Sequence, residues 1–320
     1  MAVLVTGTTG AIGAHLAKRL LDRGETVVGI IHDKHPKKHT TLDLLGITDS
    51  IYLAHGDLLD LTFVKRVASD YEVDKIFHLA ALPIVRVGNV SPVPIFKTNV
   101  EGTWNVMEAA KENNSKVLYV STDKVYGHHG TEPYKETFAL NGLNIYDASK
   151  AMGDQVVRAY NFVYGTKTVV SRSCNIYGPA DLNSRLIPNT IRNCLKGENP
   201  QIFEGIDYIR EWIYIDDVVD AFLLLMDNIE KTNGQAWNIG TGFTAAQELV
   251  ISEVLKHFPG MQAKIVQPPP YTKKEIPYQK LDTEKITTTF GWRPKVSFEE
   301  GVRRTVEWWK ANKHLALSGP

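Results

Sequence analysis

The stretch AVLVTGTTGAIGAHLAKRLLDRG, residues 2–24, decides the fold of this chain. It begins with an apolar, β-branched run typical of a buried strand and ends with apolar residues at helical spacing. Between the two, Gly7, Gly10 and Gly13 form a G-x-x-G-x-x-G loop. Glycines allow the sharp turn and close backbone approach that a pyrophosphate needs, and the next helix offers free N–H groups at its start. The stretch therefore predicts a strand–loop–helix unit that binds a dinucleotide, with a merely tight turn as the alternative.

The same alternation of strands and helices continues through the first half of the chain. Amphipathic segments such as residues 94–114 separate short β-branched runs. These runs are TVVGII (26–31), SIYLAH (50–55), KIFHLA (75–80), KVLYVS (116–121) and KTVVSRS (167–173). Regular alternation predicts parallel strands joined by crossover helices, so we expect an α/β fold with a doubly wound parallel sheet of the Rossmann type.

The second half of the chain is less regular and predicts a smaller domain. Proline and glycine interrupt it at YGPADLNSRLIP, KGENP and VQPPPYTKKEIP. We expect a dinucleotide-binding domain over residues 1–175, to which a segment at about 210–240 returns. A mixed α/β substrate domain, partly interleaved with it, is expected over residues 176–320. Ser297 and Glu300 have the spacing of a capping box at the start of the last helix.

Composition excludes several classes of partner. The 36 basic and 36 acidic residues give a net charge of zero, which argues against nucleic-acid or anionic membrane surfaces as partners. The two cysteines provide neither a disulfide framework nor zinc-ligand spacing, so no metal is expected. The N-terminus lacks a signal-peptide pattern, and the most apolar window, VVDAFLLLM (218–226), is too short to cross a membrane. A cytoplasmic location is expected.

The end of the second strand should hold the adenosine ribose of the dinucleotide. An acid is expected there, but the position is Ile31, and Asp33 follows two residues later. Asp33 binding the ribose hydroxyls would favour NAD, whereas Lys34, Lys37 and Lys38 around a 2′-phosphate would favour NADP. A solvated basic loop is the third interpretation. We expect NAD, and NADP stays open.

Two further strand ends are expected to complete the cofactor site. Asp57 and Leu58 follow the third strand, where an adenine edge would lie, and small residues after the fourth strand allow close approach of a ribose. The contacts expected from the loop and these strand ends are Gly7, Thr9, Gly10, Ala11, Ile12, Gly13, Asp57, Leu58, Leu79, Ala80 and Ala81.

The segment YDASK (146–150) supplies a candidate base. Tyr146 and Lys150 lie at i and i+4, on one face of a predicted helix. A lysine ammonium beside a phenol favours the phenolate, which could take a proton from a sugar hydroxyl. A surface helix pair is the alternative. Thr122, at the end of the fifth strand, should converge with both residues at the carboxyl edge of the sheet.

Together these motifs resemble the extended short-chain dehydrogenase/reductases of the NAD-dependent epimerase/dehydratase family, over nearly the whole chain. The matching segments are TGTTGAIG, GDLLD, HLAA, TNVEGT, STDKVYG, YDASK, NIYGP, REWIYIDDV, WNIGTG and FGWRPKVSFEEGVRRTVEWW. The chain departs from the family at Ile31, where most members have Asp, and at Glu211, where an Arg-Asp pair is usual.

Within the family, the chain looks most like the CDP-glucose 4,6-dehydratases, and the segments that carry this resemblance are HLAALPIVRVGNVSP, TTLDLLGITDSIYLAHGDLLD and NIYGPADLNSRLIPNTIR. The resemblance implies Thr122, Tyr146 and Lys150 as the hydride-transfer triad and Asn99 as the residue that holds the active-site helix. It also implies a nucleotide-diphosphate hexose as substrate, CDP- or UDP-linked, and a homodimer formed through the helix bearing YDASK and the helix after FKTNV. The implied substrate contacts are Asn175, Arg185, Leu186 and Arg210. Arg86 is either a further substrate contact or a charge at a helix start.

The adjacent Asp123 and Lys124 are the expected acid and base of a dehydration. Oxidation at C4 of the sugar acidifies the C5–H, which a neutral Lys124 would remove while a protonated Asp123 assists departure of the 6-hydroxyl. Burial favours both uncharged forms, and a nearby Lys150 charge favours the neutral amine. If the two residues are instead a solvated ion pair, a 4-epimerase is expected. A non-enzymatic dinucleotide sensor is a third alternative.

Overall fold

The computed structural model describes residues 1–32, 39–83, 90–268 and 275–317. The strands are β1 (Ala2–Thr6), β2 (Val27–Ile31), β3 (Tyr52–His55), β4 (Val73–His78), β5 (Lys116–Thr122), β6 (Thr168–Ser173), β7 (Asn175–Tyr177), β8 (Gln201–Phe203), β9 (Arg210–Tyr214), β10 (Gln235–Ile239), β11 (Thr244–Ala245) and β12 (Lys264–Val266). The α-helices are α1 (Ala11–Asp22), α2 (Thr41–Leu44), α3 (Leu61–Asp70), α4 (Pro92–Phe96), α5 (Gly102–Asn113), α6 (Ile145–Tyr164), α7 (Leu186–Lys196), α8 (Ile215–Asp227), α9 (Ile229–Thr232), α10 (Gln247–Leu255), α11 (Glu284–Phe290), α12 (Phe298–Ala311) and α13 (Lys313–Leu317).

The main sheet confirms the predicted doubly wound architecture. Its seven parallel strands have the order β10-β6-β5-β4-β1-β2-β3. The chain reverses its direction of progress between β1 and β4, and ligands of such sheets bind in the crevice at that point. Two smaller sheets, β11-β9-β7 and β12-β8, are formed by the second half of the chain. The six predicted strands recur with ends shifted by at most two residues.

Both faces of the main sheet are buried, which explains why its strands read as apolar runs. Side chains of β1 alternate between two cores. Val5 packs with Leu16 and Phe222 on the face covered by α1 and α8. Leu4 packs with Val106 on the face covered by α3, α5 and α6. A one-residue shift of β1 would exchange these two sets, so the register is strongly determined.

The long helix predicted over residues 94–114 is interrupted. A π-helical turn at Lys97–Glu101 separates α4 from α5. Such turns are often found at functional sites because they add one residue to a helix and redirect a side chain. Here the turn carries the buried Asn99.

The C-terminal part packs around its own aromatic cluster and also returns to the main sheet. Strand β10 pairs with β6 at the sheet edge, while Tyr177, Trp212 and Phe298 pack in a separate cluster. Ser297 Oγ accepts a hydrogen bond from the Glu300 N–H at 3.2 Å, as predicted, whereas the Glu300 carboxylate pairs with arginines of its own helix. The domain boundary near residue 175 stays a prediction. Across the described ranges, no helix combines the length and apolar character needed to cross a bilayer.

Candidate active site

A cavity of about 990 Å³ opens at the carboxyl edge of the main sheet. It brings together every predicted site residue within the described ranges except Asn99. These residues are Gly7, Thr9, Gly10, Ala11, Ile12, Gly13, Asp57, Leu58, Leu79, Ala80, Ala81, Thr122, Asp123, Lys124, Tyr146, Lys150, Asn175, Arg185, Leu186 and Arg210. Asp33 and Arg86, and the lysines at 34, 37 and 38, lie outside the described residues.

The glycine loop is shaped as a cradle in which side chains would not fit. Gly7 has φ +75°, and a Cβ there would come within 2.9 Å of the Ala80 nitrogen. A Cβ on Gly13 would lie 2.3 Å from the Gly7 carbonyl oxygen. Gly10 is the N-cap of α1, so the first-turn N–H groups point into the cavity mouth. This loop fits the pyrophosphate of a dinucleotide, whose negative charge the helix N-terminus stabilises.

Thr6 holds the ends of β1 and β4 together beside the cradle. Its Oγ1 accepts hydrogen bonds from the N–H groups of Leu79 and Ala80, each at 3.1 Å. The same hydroxyl lies 2.7 Å from Nδ1 of His78, whose Nε2 lies 3.0 Å from the Thr103 hydroxyl. Burial lowers the pKa of His78 to about 3, so the ring is neutral and structural.

His32 is a cavity residue that the sequence analysis did not assign. It follows Ile31, where an acid was expected, and its Nε2 lies 3.3 Å from Oδ2 of Asp57. The other oxygen of Asp57 accepts from the Leu59 N–H at 3.0 Å. Among the described residues, Asp57, just after β3, is therefore the acid that lies beside His32 in the cavity.

Tyr146 and Lys150 lie on one face of α6, as the i, i+4 spacing predicted. Lys150 is 3% exposed, and its Nζ lies 4.1 Å from the ring centroid of Tyr119. Burial lowers the pKa of Lys150 to about 7, and Asp154 opposes this shift. Burial raises the pKa of Tyr146 above its ordinary value, and the cation that opposes this is Arg185. The effect of Lys150 on the Tyr146 phenol stays a prediction.

Asn99 lies behind the cavity wall and links it to α6. Its Oδ1 accepts from the Leu82 N–H at 2.8 Å, and its Nδ2 donates to Ser149 Oγ at 2.9 Å. Ser149 Oγ in turn donates to the Tyr146 carbonyl at 2.7 Å. Asn99 therefore connects the segment after β4 with the start of α6, rather than lining the cofactor pocket.

Asp123 is a buried carboxyl group whose surroundings favour its protonated form. It is 2% exposed, its Oδ1 accepts from Thr122 Oγ1 at 3.0 Å, and its Oδ2 has no hydrogen-bond partner among the described residues. Burial raises the pKa of Asp123, although Lys124 and Arg210 oppose the shift. Asp123 also lines the cavity, so a bound ligand is one partner that this oxygen can acquire.

Lys124 forms an ion pair that the sequence analysis did not anticipate. Its Nζ donates to Oε2 of Glu275 at 2.7 Å, with side-chain exposures of 15% and 22%. The expected uncharged amine and the alternative solvated Asp123–Lys124 pair both differ from this arrangement. The reason is tertiary, because Glu275 lies 151 positions from Lys124 in the chain and meets it only in the folded structure.

The candidate substrate contacts line the same cavity. Arg210 Nη2 lies 3.5 Å from Glu275 Oε2, and its guanidinium lies 5.2 Å from the Tyr208 ring centroid. Asn175 Nδ2 donates to the Glu211 carbonyl at 3.2 Å, which orients its side chain. Arg185 remains 34% exposed at the start of α7.

Glu211, one of the two departures from the family pattern, is a structural clamp. Its Oε1 accepts from the N–H groups of Thr241 and Gly242, and its Oε2 accepts from the Leu281 N–H, each at 2.6 Å. Burial raises the pKa of Glu211 to about 7, while the amide donors oppose the shift. The residue joins β9 to two other segments of the C-terminal part.

Glu275 and Asp147 are the acidic residues of this region that sequence reasoning missed. Glu275 lies in KKEIP, which has the composition of a solvated loop. Asp147 is 1% exposed, and burial raises its pKa to about 6. Its position beside Tyr146 was the available signal. In the part of the chain that the structure describes, no cluster of His, Cys, Asp or Glu is arranged to hold a metal.

Comparisons with known proteins agree with this geometry. The model of the NAD-dependent epimerase/dehydratase family matches residues 3–240. A dTDP-glucose 4,6-dehydratase of Salmonella typhimurium is 30% identical, covering 98% of this chain and 93% of that protein. The solved dTDP-glucose 4,6-dehydratase DesIV of Streptomyces venezuelae, with NAD bound, superposes with a TM-score of 0.89 at 29% identity and covers 98% of both chains. A UDP-glucose 4-epimerase of Thermotoga maritima, solved with UDP-glucose, also has a TM-score of 0.89, at 27% identity, covering 98% of this chain and 99% of that one.

Proposed function

The chain belongs to the NAD-dependent epimerase/dehydratase family, and from this premise we propose that it is a nucleotide-sugar 4,6-dehydratase. The product would be a 4-keto-6-deoxyhexose still linked to its nucleotide diphosphate. NAD is the proposed cofactor, as in the solved relatives. A CDP- or UDP-linked hexose is the proposed substrate. The main alternative is dTDP-glucose, the substrate named for the relatives.

The observation that carries this proposal is the position of Asp123 and Lys124. Both residues line the same cavity as Tyr146 and Lys150, at the carboxyl end of β5. Removal of water across C5–C6 needs an acid and a base, whereas epimerisation at C4 breaks no bond at C5 or C6. A buried acid with a raised pKa and a neighbouring amine therefore favour dehydration.

Tyr146 is the proposed base for oxidation at C4. As the phenolate, it would take the proton of the 4-hydroxyl, with Thr122 positioning that hydroxyl. Arg185 and Lys150 would supply the positive charge that favours the phenolate before the transfer. NAD, when bound, would supply the hydride acceptor for C4 and the hydride donor for C6. The cradle formed by Gly7, Gly10 and Gly13 would hold its pyrophosphate.

Lys124 and Asp123 would then carry out the elimination. Once C4 is a ketone, the neutral Lys124 amine takes the C5 proton, and Asp123 donates a proton to the departing 6-hydroxyl, which leaves as water. Lys124 returns its proton to C5 as C6 is reduced. The proton that Tyr146 took from the 4-hydroxyl replaces the one lost by Asp123, so the cycle balances with loss of one water.

A 4-epimerase is the second candidate, and one contact favours it. The Lys124 amine is paired with Glu275, and a permanently paired ammonium could not remove a proton. The likeness to the Thermotoga maritima epimerase is equal in TM-score to the likeness to DesIV. The identity of the product must therefore decide between dehydration and epimerisation.

The deciding experiment is to incubate the protein with CDP-, UDP-, dTDP- and GDP-hexoses and to measure product masses. A product lighter by one water is expected, and an isobaric product would refute the dehydratase in favour of the epimerase. Asp123→Asn and Lys124→Ala should lower water loss by about 10²- to 10⁴-fold, yet still reduce bound NAD. Lys256→Ala is the control, because that lysine pairs with Glu253 far from the cavity. Water loss at the native rate in either cavity variant would contradict the assigned roles.

We also propose a homodimer and a cytoplasmic location. The helices α5 and α6 pack on each other and expose Trp104 and Met152, which suits a self-complementary face. Both cysteines are free thiols, which suits a reducing compartment.

A further inference from the structure

The loop between β7 and α7 contains a residue in a strained backbone conformation. Ala180 has φ +58°, in the left-handed region that alanine rarely adopts, and the residue is fully buried. Strain of this kind persists only where surrounding contacts hold the residue, and it is often found at functional sites. The path of the loop therefore depends on the contacts around Ala180.

Two of these contacts come from α1 and α2, on either side of β2. Thr41 Oγ1 donates to the Ala180 carbonyl at 3.1 Å, and His15 Nε2 lies 3.2 Å from the Pro179 carbonyl oxygen. The Thr41 N–H also donates to the carbonyl of Thr9, in the glycine loop, at 3.3 Å. Thr41 is 1% exposed and lines the cavity. One buried residue thus joins the glycine loop to the strained loop.

The polar residues that follow Ala180 reach the cavity. Asp181 is 2% exposed, and its Oδ1 accepts from the N–H and from the side-chain amide of Asn183, each at 3.0 Å. Its Oδ2 lies 3.8 Å from Nη1 of Arg185, and all three residues line the cavity. The Arg185 guanidinium opposes the rise in the pKa of Tyr146, so it lies within electrostatic reach of the phenol. The backbone direction set at Ala180 therefore affects where the guanidinium lies.

The second part of the loop is held separately, by α7. Arg192 donates to the carbonyls of Leu182 and Asn183 at 3.1 and 3.0 Å. Arg185 precedes the first residue of the same helix, so these contacts join the loop to α7 and not to the glycine loop. Among the described residues, the side-chain hydrogen bonds that join the loop to α1 and α2 are those of His15 and Thr41.

We propose that Thr41 is a positioning residue whose hydroxyl holds Ala180 in its left-handed conformation and thereby directs Arg185 at the diphosphate of the nucleotide sugar. Without this hydroxyl, Ala180 is free to relax to a negative φ, which redirects the chain that follows. A bidentate contact between a guanidinium and a phosphate depends on orientation, so a small displacement weakens it. The inference rests on the proposed function in one respect, the assignment of Arg185 as a substrate contact.

The test measures the affinity of the NAD-loaded protein for CDP, UDP and dTDP by calorimetry. Thr41→Val replaces the hydroxyl with a methyl group of similar shape and keeps the N–H that contacts Thr9. We expect affinity for the diphosphate that binds most tightly to fall by about two- to tenfold, the effect of one lost hydrogen bond. Thr41→Ser, which retains a hydroxyl, should bind like the wild type. Affinity for NAD should fall less than affinity for the diphosphate.

Glycine at position 180 provides an independent measurement. Glycine adopts positive φ without steric cost, so Ala180→Gly in the Thr41→Val background should recover part of the lost affinity. A protein weakened by general destabilisation would not recover, because glycine makes the unfolded chain more flexible. Absence of recovery in the double variant would overturn the role assigned to Ala180.

Thr305→Val is the matched control. Thr305 is fully buried, and its hydroxyl donates to the Gly301 carbonyl at 2.7 Å. It lies on α12, outside the set of described residues that line the cavity. This variant loses the same kind of hydrogen bond, so it should lose stability in urea denaturation but keep the diphosphate affinity of the wild type. Circular dichroism spectra like that of the wild type verify that each variant folds.

Arg185→Ala separates a failure of this inference from a failure of the proposed function. If Arg185→Ala weakens diphosphate binding and Thr41→Val does not, the inference alone is overturned. If Arg185→Ala binds the diphosphate as tightly as the wild type, the assignment of Arg185 fails and the inference fails with it. An equal fall in NAD and diphosphate affinity in Thr41→Val would also overturn the inference, since Thr41 would then act through the cofactor.

Discussion

Asp123 and Glu211 are buried carboxyl groups whose hydrogen bonding gives them different tasks. Glu211 accepts three backbone N–H groups and so has its acceptor capacity used by the fold. Asp123 has one oxygen held by Thr122 and one without a partner among the described residues. A buried polar atom without a partner is unfavourable, and beside a cavity a ligand can supply that partner. At this scale, hydrogen-bond satisfaction separates a structural acid from a candidate catalytic one.

Replacing Glu211 tests the structural side of this distinction. In Glu211→Gln the side-chain NH₂ would face the Leu281 N–H, which leaves a buried donor unsatisfied. We expect the free energy of unfolding to fall by about 1–3 kcal/mol, measured by urea denaturation. Glu132→Gln, at an exposed position, should match the wild type. A Glu211→Gln protein as stable as the wild type would show that the contact with the Leu281 N–H contributes nothing net.

The first strand, its loop and α1 form the element on which cofactor binding depends. The loop can follow its path only because Gly7 and Gly13 lack side chains, since a Cβ at either would contact backbone atoms at 2.9 or 2.3 Å. Backbone neighbours cannot rotate away as a side chain can. Local backbone geometry, rather than side-chain packing, therefore restricts which residues this loop can accommodate.

Substitution of Gly13 should affect the cofactor more than the fold. Gly13→Ala forces the start of α1 away from the Gly7 carbonyl and disturbs the pyrophosphate cradle. We expect affinity for NAD to fall by at least about tenfold, or 1.4 kcal/mol, measured by calorimetry. Gly102→Ala is the control, because the nearest atom to its new Cβ would be 3.6 Å away. Unchanged affinity in Gly13→Ala would contradict the role of the cradle.

At the scale of the whole molecule, several large apolar side chains are exposed on neighbouring helices. Helices α4 to α6 carry Val93, Trp104, Met152, Phe162 and Val163, which are between 43% and 90% exposed. Contiguous exposed apolar residues typically mark an interface. Since α5 and α6 already pack together, a second copy related by a two-fold axis would form a four-helix contact.

Charge placed on this surface should separate the subunits. The double variant Trp104→Glu, Met152→Glu introduces four carboxylates per dimer at positions that would be desolvated, so we expect a monomer by light scattering. Ile265→Glu is the control, because Ile265 is 69% exposed on β12, away from these helices. A wild type that is monomeric at micromolar concentration would refute the proposed dimer.

The candidate site was predictable where its residues belong to one local pattern. Tyr146 and Lys150 are one helical turn apart, and Thr122 and Asp123 end a strand, so periodicity placed them together. His32 and Glu275 were missed because each acquires its role from a partner distant in the chain. Glu275 is 151 positions from Lys124, and no spacing rule joins them.

The sequence by itself determined the parallel sheet, the glycine cradle and the grouping of polar residues at strand ends. These features follow from short-range periodicity and from the steric freedom of glycine, which are properties of the local chain. Only the tertiary structure decided which carboxylates have their hydrogen-bond acceptors occupied and which carboxylates line the cavity. It also decided which amine forms an ion pair with a carboxylate. Burial and contacts between distant segments control those charge states, because desolvation and ion pairing depend on everything packed around a group rather than on its neighbours in the chain.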